Sequence, residues 1–172
     1  MRQPNAVQDQ EPGSLEQRIL ASAVSLLASR QYSEEQLRRR LIAKFGDLHE
    51  IDRCISLLKD KGYLDDSRLA ESYAAHRTGV KAMGRTRLGR ELAGKLLSRE
   101  IIDSALNKAF QNVPEAELID RAIEKRVRSK GVPVSPADRK KMFDYLARLG
   151  FEYDLIVAKM RNLGAAGDPD EA

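Results

Sequence analysis

Apolar residues recur along this chain at helical spacing, and short polar starts interrupt them at regular intervals. Leu15, Ile19, Ala23 and Leu26 lie three or four residues apart, which places them on one face of a helix. Ser14-Leu15-Glu16-Gln17 opens that run with a capping-box pattern, in which a Ser side chain and a Gln three residues on accept from otherwise free backbone N–H groups. Ser33-Glu34-Glu35-Gln36 repeats the pattern ahead of Leu37, Leu41 and Phe45. Asp47-Leu48-His49-Glu50 repeats it ahead of Ile51, Ile55 and Leu58, and Gly62 closes that segment, where a glycine accepts a left-handed turn at low cost. The pattern predicts three helices joined by very short turns.

The same arrangement then recurs. A helix is predicted from Asp65 to about Val80, with the Asp65-Asp66 pair read as capping residues rather than a metal site. A second runs from Gly84 to Leu97, with Leu88, Leu92 and Leu96 in register, and a third follows Ser98 with Ile101, Ile102, Ala105 and Leu106. Another opens after Pro114 and runs to about Lys130. Ser135-Pro136 restarts a helix, with Pro at the first position, where its missing N–H costs little. A last helix follows Gly150 through Leu155, Ile156 and Met160, and Val132-Pro133-Val134 reads as a loop.

The restarts at Ser33, Gly84 and Ser135 are 51 residues apart each time. Leu37 matches Leu88 at that offset, Leu41 matches Leu92 and Phe143, Ile51 matches Ile102, and Ile55 matches Leu106. The predicted fold is all-α. Three tandem three-helix repeats, over 14–63, 64–112 and 113–163, stack into an elongated, curved array, because each is too small to bury a full core alone. Residues 1–13 and 164–172 read as disordered termini, the second acidic.

Composition narrows the chemistry. Hydrophobic residues make up 42% of the chain but aromatics only 5%, so the core must be mostly Leu, Ile, Ala and Val. One cysteine excludes an intramolecular disulfide and a Cys-based zinc cluster. Cys54 lies beside Ile55 and three residues after Ile51, the position of a buried structural thiol. His49 and His76 are the only histidines, and neither pairs with a nucleophile at a recognisable spacing. There is no GxxxxGK[ST] phosphate loop, no signal-peptide core and no membrane-length apolar run. The expectation is a soluble, cytoplasmic, non-enzymatic protein with no metal or cofactor, acting as a monomer away from membranes.

The net charge of +4 conceals two basic segments. Arg77 to Arg99 holds seven basic residues against Glu91 alone, and Arg121 to Lys141 holds eight against Glu124 and Asp138. With Leu88, Leu92 and Leu96 facing inward, Arg87, Arg90 and Gly94 fall on the opposite face, with Arg85 and Lys95 at the ends and Arg77 and Lys81 leading in. A merely solvated face mixes signs; this one lacks acids, which points to an acidic partner. Lys140, Lys141 and Arg148 form a second patch, diluted by Asp144, and Arg38-Arg39-Arg40 a third. Such cations neutralise phosphates without reading sequence. Tyr63, Tyr73 and the Phe residues read as core or cap residues, so any nucleic-acid affinity should be modest and strongly salt-dependent.

The stretch Leu57-Leu58-Lys59-Asp60-Lys61-Gly62-Tyr63-Leu64-Asp65-Asp66-Ser67-Arg68-Leu69-Ala70-Glu71-Ser72-Tyr73 resembles the RecX family, regulators of the bacterial RecA recombinase. The resemblance continues in Gly84-Arg85-Thr86-Arg87-Leu88-Gly89-Arg90-Glu91-Leu92 and in Ile101-Ile102-Asp103-Ser104-Ala105-Leu106, and covers about residues 15–163. It departs at Leu69, where the family often has Phe, and at Lys95-Leu96-Leu97, where the family usually turns on Lys-Gly. The resemblance implies a non-enzymatic modulator that binds the groove of the RecA filament on DNA and suppresses its ATPase and strand exchange. The expected partners are the RecA filament, single-stranded DNA and, more weakly, double-stranded DNA. The expected contacts are Arg77, Lys81, Arg85, Arg87, Arg90 and Lys95, with Lys140 and Lys141. Neutralising Arg87 with Arg90 should weaken inhibition with little change in stability. The rival reading is a helix-turn-helix transcription factor, which predicts dimers and a preferred duplex site.

Overall fold

The structure, a computed structural model, describes residues 13–165. The expected disorder of residues 1–12 and 166–172 lies outside them. The described residues form nine helices and no strand: α1 Leu15–Ser29, α2 Glu34–Phe45, α3 Leu48–Asp60, α4 Asp66–Val80, α5 Arg85–Ala93, α6 Arg99–Asn112, α7 Glu115–Lys130, α8 Pro136–Arg148 and α9 Tyr153–Ala165. The last helix continues through Gly164 and Ala165, which the sequence reading had assigned to the tail.

Local chemistry sets where these helices start. Ser14 and Ser33 each accept from the N–H three residues on, and Gln17 and Gln36 reach back to the caps, completing both boxes. Asp47, Ser98 and Ser135 accept from Glu50, Ile101 and Asp138 respectively. Helices α2, α5 and α8 begin at residues 34, 85 and 136, which preserves the spacing of 51.

The helices pack in threes: α1, α2 and α3 on one another, then α4 to α6, then α7 to α9. Each triplet has its own core. Ile19, Leu37, Leu41, Ile51 and Ile55 fill the first, and Leu64 joins them rather than the second triplet. Leu88, Leu92, Met83 and Ala70 fill the second, and Leu118, Ile119, Leu146 and Phe151 the third. By contact density the chain forms two compact units, one ending at Asp65 and one beginning at Asp66.

Within the second unit, the α4–α6 and α7–α9 triplets are joined by their backbones. Gly84 N donates to Leu149 O at 2.9 Å, and Thr86 N donates to Gly150 O at 3.3 Å. A Cβ on Gly84 would stand 2.2 Å from Gly150 O, and one on Gly150 would stand 2.4 Å from the Arg87 Cβ. Gly150 also has φ +86, a conformation that favours glycine. Phe110 packs against both the second and the third core, and Ala82 against the third.

One register prediction fails. Helix α5 ends at Ala93, and Leu96 lies outside it with φ +60, half-buried, while Leu97 enters the core. The turn forces a left-handed residue where no glycine stands. The left-handed backbone costs a side-chain-bearing residue about 1–2 kcal/mol, similar to what a half-buried Leu contributes. We therefore expect Leu96→Gly to stay within about 1 kcal/mol of the parent chain. Leu96→Ala, which loses the packing and keeps the strain, should be the less stable of the two. Urea midpoints showing Ala above Gly would overturn this account of the turn.

Candidate binding surface

The basic residues of α4 and α5 are not equivalent once their neighbours are placed. Tyr73 and Arg77 lie one turn apart on α4, facing Glu91 on α5. The Tyr73 hydroxyl donates to Glu91 Oε2 at 2.9 Å, Arg77 Nη2 pairs with the same oxygen at 2.8 Å, and Arg77 Nε donates to the Tyr73 oxygen at 3.1 Å. Arg87 Nε takes the other Glu91 oxygen at 3.3 Å. The Arg77 guanidinium carbon and the Lys95 ammonium lie 5.2 Å and 4.4 Å from the centroid of the Tyr73 ring. Burial pushes the Glu91 carboxyl up, but Tyr73, Arg77 and Arg87 outweigh it and hold the group below its ordinary value. The Tyr73 hydrogen bond, against burial and with help from Glu91, makes Arg77 still harder to deprotonate.

Arg85 and Arg87 are also tied to the joint between the two triplets. The Arg85 backbone N donates to Glu115 Oε1 at 2.9 Å, and its side chain donates to Asn107 Oδ1. Burial raises the Glu115 carboxyl above its ordinary value, against the opposing effect of the Arg85 N–H. Arg87 Nη1 donates to Arg148 O at 3.4 Å, and its Cβ lies against Gly150. The Arg87 side chain thus connects Glu91 with the α8 end.

Among the described residues, Lys81, Arg90 and Lys140 are exposed and make no ion pair, while Lys141 pairs with Asp138 at 3.0 Å. Arg90 rests its Nε against Thr86 O at 3.4 Å. In the first unit Arg38 is held by Glu34, Glu35 and Asp52, and Arg39, though exposed, by Glu35 at 2.6 Å, so of that trio Arg40 alone makes no ion pair among the described residues. The sequence reading missed these pairings because it counted charge by segment. The spacing of Arg87 and Glu91 at i, i+4 was the available signal. It also missed a crevice of about 310 Å³ at the joint, where Lys81 meets Arg121 and Lys125 of α7 beside Tyr145 and Leu149.

The remaining candidates fall as follows. Cys54 is buried in the first core, and burial, helped by the Glu16 charge, pushes its thiol up, away from the reactive thiolate. His49 and His76 are exposed. Among the described residues there is no cluster of His, Cys, Asp or Glu able to hold a metal, and no helix long and apolar enough to cross a membrane. Tyr63, expected in a core or cap, is 68% exposed.

Fold and surface together define a helical-repeat protein of tandem three-helix units, with exposed cations near a Glu91-centred network that holds Arg77 and Arg87. The pattern described as RecX, second three-helix domain, matches residues 65–106. Regulatory protein RecX of Pelodictyon phaeoclathratiforme is 33% identical over 150 residues, covering 87% of this chain and 91% of the relative. The Cronobacter sakazakii regulatory protein RecX is 32% identical over 157 residues, covering 84% and 92%. The crystal structure of RecX from Lactobacillus salivarius shares the fold with a TM-score of 0.76 at 19% identity, over 87% of this chain and 97% of that one. The chain belongs to the RecX family of regulatory proteins.

Proposed function

We propose that this chain is a non-enzymatic modulator, chiefly an inhibitor, of RecA recombinase, which binds the RecA–DNA filament and suppresses its ATPase and strand exchange. The observation that carries the reading is the likeness to regulatory RecX proteins over nearly the whole length of both chains. The surface supports it. Lys81, Arg90 and Lys140 offer exposed positive charge with no carboxylate partner among the described residues, as an acidic protein surface or a phosphate backbone requires. Arg77, Arg85 and Arg87 belong to the contact set chiefly by shaping it, since Glu91, Asn107 and the α8 end hold their side chains. The protein acts as a cytoplasmic monomer, and its affinity for DNA is weak and salt-dependent.

The test is the single-stranded-DNA-dependent ATPase of the cognate RecA, titrated with this protein at two salt concentrations. Inhibition at substoichiometric amounts is expected, weakening as salt rises because counterions compete for the same phosphates and carboxylates. An unchanged ATPase together with a shift of one particular duplex would replace this reading with that of a transcription factor.

A further inference from the structure

We infer that the crevice at the joint of the second unit is a phosphodiester-binding site, which takes the backbone of a nucleic-acid strand through Lys81, Arg121 and Lys125. The inference rests on the functional reading above and gives its nucleic-acid component a location.

Three cations reach this crevice from two separate elements. Lys81 stands in the connection between α4 and α5, and Arg121 and Lys125 lie one turn apart on α7. No carboxylate lines it among the described residues. The nearest claim on these charges is Glu117, 3.6 Å from Arg121, with both side chains more than half exposed, a pair that contributes little and gives way readily to a doubly liganded phosphate. Asp120 on the same helix is already held by Lys159 of α9.

The walls are apolar where the cations are not. Val80, Ala82, Leu149 and Tyr145 line the crevice, and Thr78 and Gly79 complete the lining. The Arg126 guanidinium carbon lies 5.0 Å from the centroid of the Tyr145 ring, which adds positive charge behind that wall. A nucleotide unit matches both properties, since its phosphate is anionic and its base presents a flat, weakly polar face. A carboxylate side chain satisfies only the first. The volume of about 310 Å³ suits a strand segment lying in a cleft rather than a broad convex surface.

The crevice is also held open in advance. Gly84 N bonds to Leu149 O at 2.9 Å, so the α4–α5 connection carrying Lys81 and Ala82 is fixed against the end of α8. Ala82 itself packs against the third core. Binding therefore does not have to order these walls, which preserves affinity that a mobile site would lose.

The experiment compares the full-length double variant Lys81→Gln/Lys125→Gln with Arg128→Gln/Arg139→Gln, which removes the same charge from exposed positions outside the crevice. Binding of labelled single-stranded and duplex oligonucleotides is followed by fluorescence anisotropy across a salt series, with thermal melts to check folding. The crevice variant is expected to lose about tenfold in affinity at low salt, with a single-strand salt slope shallower by about 1.4, the value for two lost phosphate contacts. The control should lose about twofold. Loss on both oligonucleotides assigns the site to the phosphodiester in either form, and loss on the single strand alone assigns it to unpaired strands. Equal affinities of the two variants would overturn the inference. RecA ATPase inhibition, measured alongside, separates the two claims. Inhibition lost from the crevice variant while oligonucleotide binding persists would give the crevice to an acidic protein surface and overturn the inference. A parent chain that binds oligonucleotides through the crevice but leaves the ATPase untouched would overturn the functional reading alone.

Discussion

Gly150→Ala is expected to lower the unfolding free energy by about 2–4 kcal/mol, although it removes no contact at all. Two effects add. The new methyl group would stand 2.4 Å from the Arg87 Cβ and 2.5 Å from its backbone N, and overpacking of that kind costs about 1–3 kcal/mol when the neighbour is main chain rather than a mobile side-chain tip. The residue also sits at φ +86, which adds about 1 kcal/mol for any residue bearing a Cβ. Gly46→Ala isolates the second effect, because Gly46 has φ +76 and open space around its Cβ position. It should lose only about 1 kcal/mol. Gly84→Ala tests the first effect alone, since its φ of −78 is ordinary and its Cβ would meet Gly150 O at 2.2 Å. The two joint substitutions should not add when combined, because they disrupt the same backbone approach. Urea denaturation of the four variants gives the ranking, and a Gly150→Ala loss no larger than that of Gly46→Ala would mean that the joint opens without cost.

Glu91→Gln is expected to cost about 2 kcal/mol at neutral pH, the scale of hydrogen bonds to a charged group. The carboxylate receives the Tyr73 hydroxyl and Arg77 on one oxygen and Arg87 on the other, and its side chain is only 20% exposed. Arg87 is 42% exposed, so its share is screened and small; Tyr73 and Arg77 carry most of the effect. The pH dependence has a definite sign. Because the folded state holds the Glu91 pKa below its unfolded value, the contribution is complete above the ordinary glutamate range of about 4.3 and fades as pH falls through the folded value. The stability curves of parent and variant should therefore lie apart at pH 7 and converge in acid. A gap that stays constant from pH 7 to pH 3 would show that the loss is one of packing, not of charge.

Much of the fold was legible because its signals are local. A Ser followed three residues later by Gln marks a helix start from within four residues, as at 15 and 34, and Ser135 with Pro136 marks the start at 136. The core of the second triplet was legible at Leu88, Leu92, Ala105 and Leu106 but not at the turn after α5. A pure helical period extrapolates to Leu96, whereas the chain leaves the helix at Ala93 and presents Leu97 instead. The candidate surface was less legible, because charge becomes available or bound according to partners that are distant in sequence. Arg77 and Glu91 are 14 residues apart and Arg87 and Arg148 are 61 apart, so of these contacts only the Arg87–Glu91 pair at i, i+4 lay within a local window. Lys81 was named from its segment, whereas Arg121 and Lys125 became neighbours of it only through the tertiary joint.

The start of α5 differs from its counterparts in a way that bears on how the chain acquires its structure. At the equivalent positions α2 and α8 carry Ser33 and Ser135, which cap their own helices, whereas α5 starts at Gly84 with no side-chain cap. Its first amides are met instead by Glu115, Leu149 and Gly150 of the following triplet. During synthesis from the N-terminus, the first triplet therefore has everything its helices need as soon as it has emerged. The second must wait, with a basic helix incompletely capped, until the chain has been extended through Gly150. The order of residues along the gene thus imposes a delay on the triplet that carries Lys81 and Arg90, and maturation of that surface is tied to completion of the third triplet.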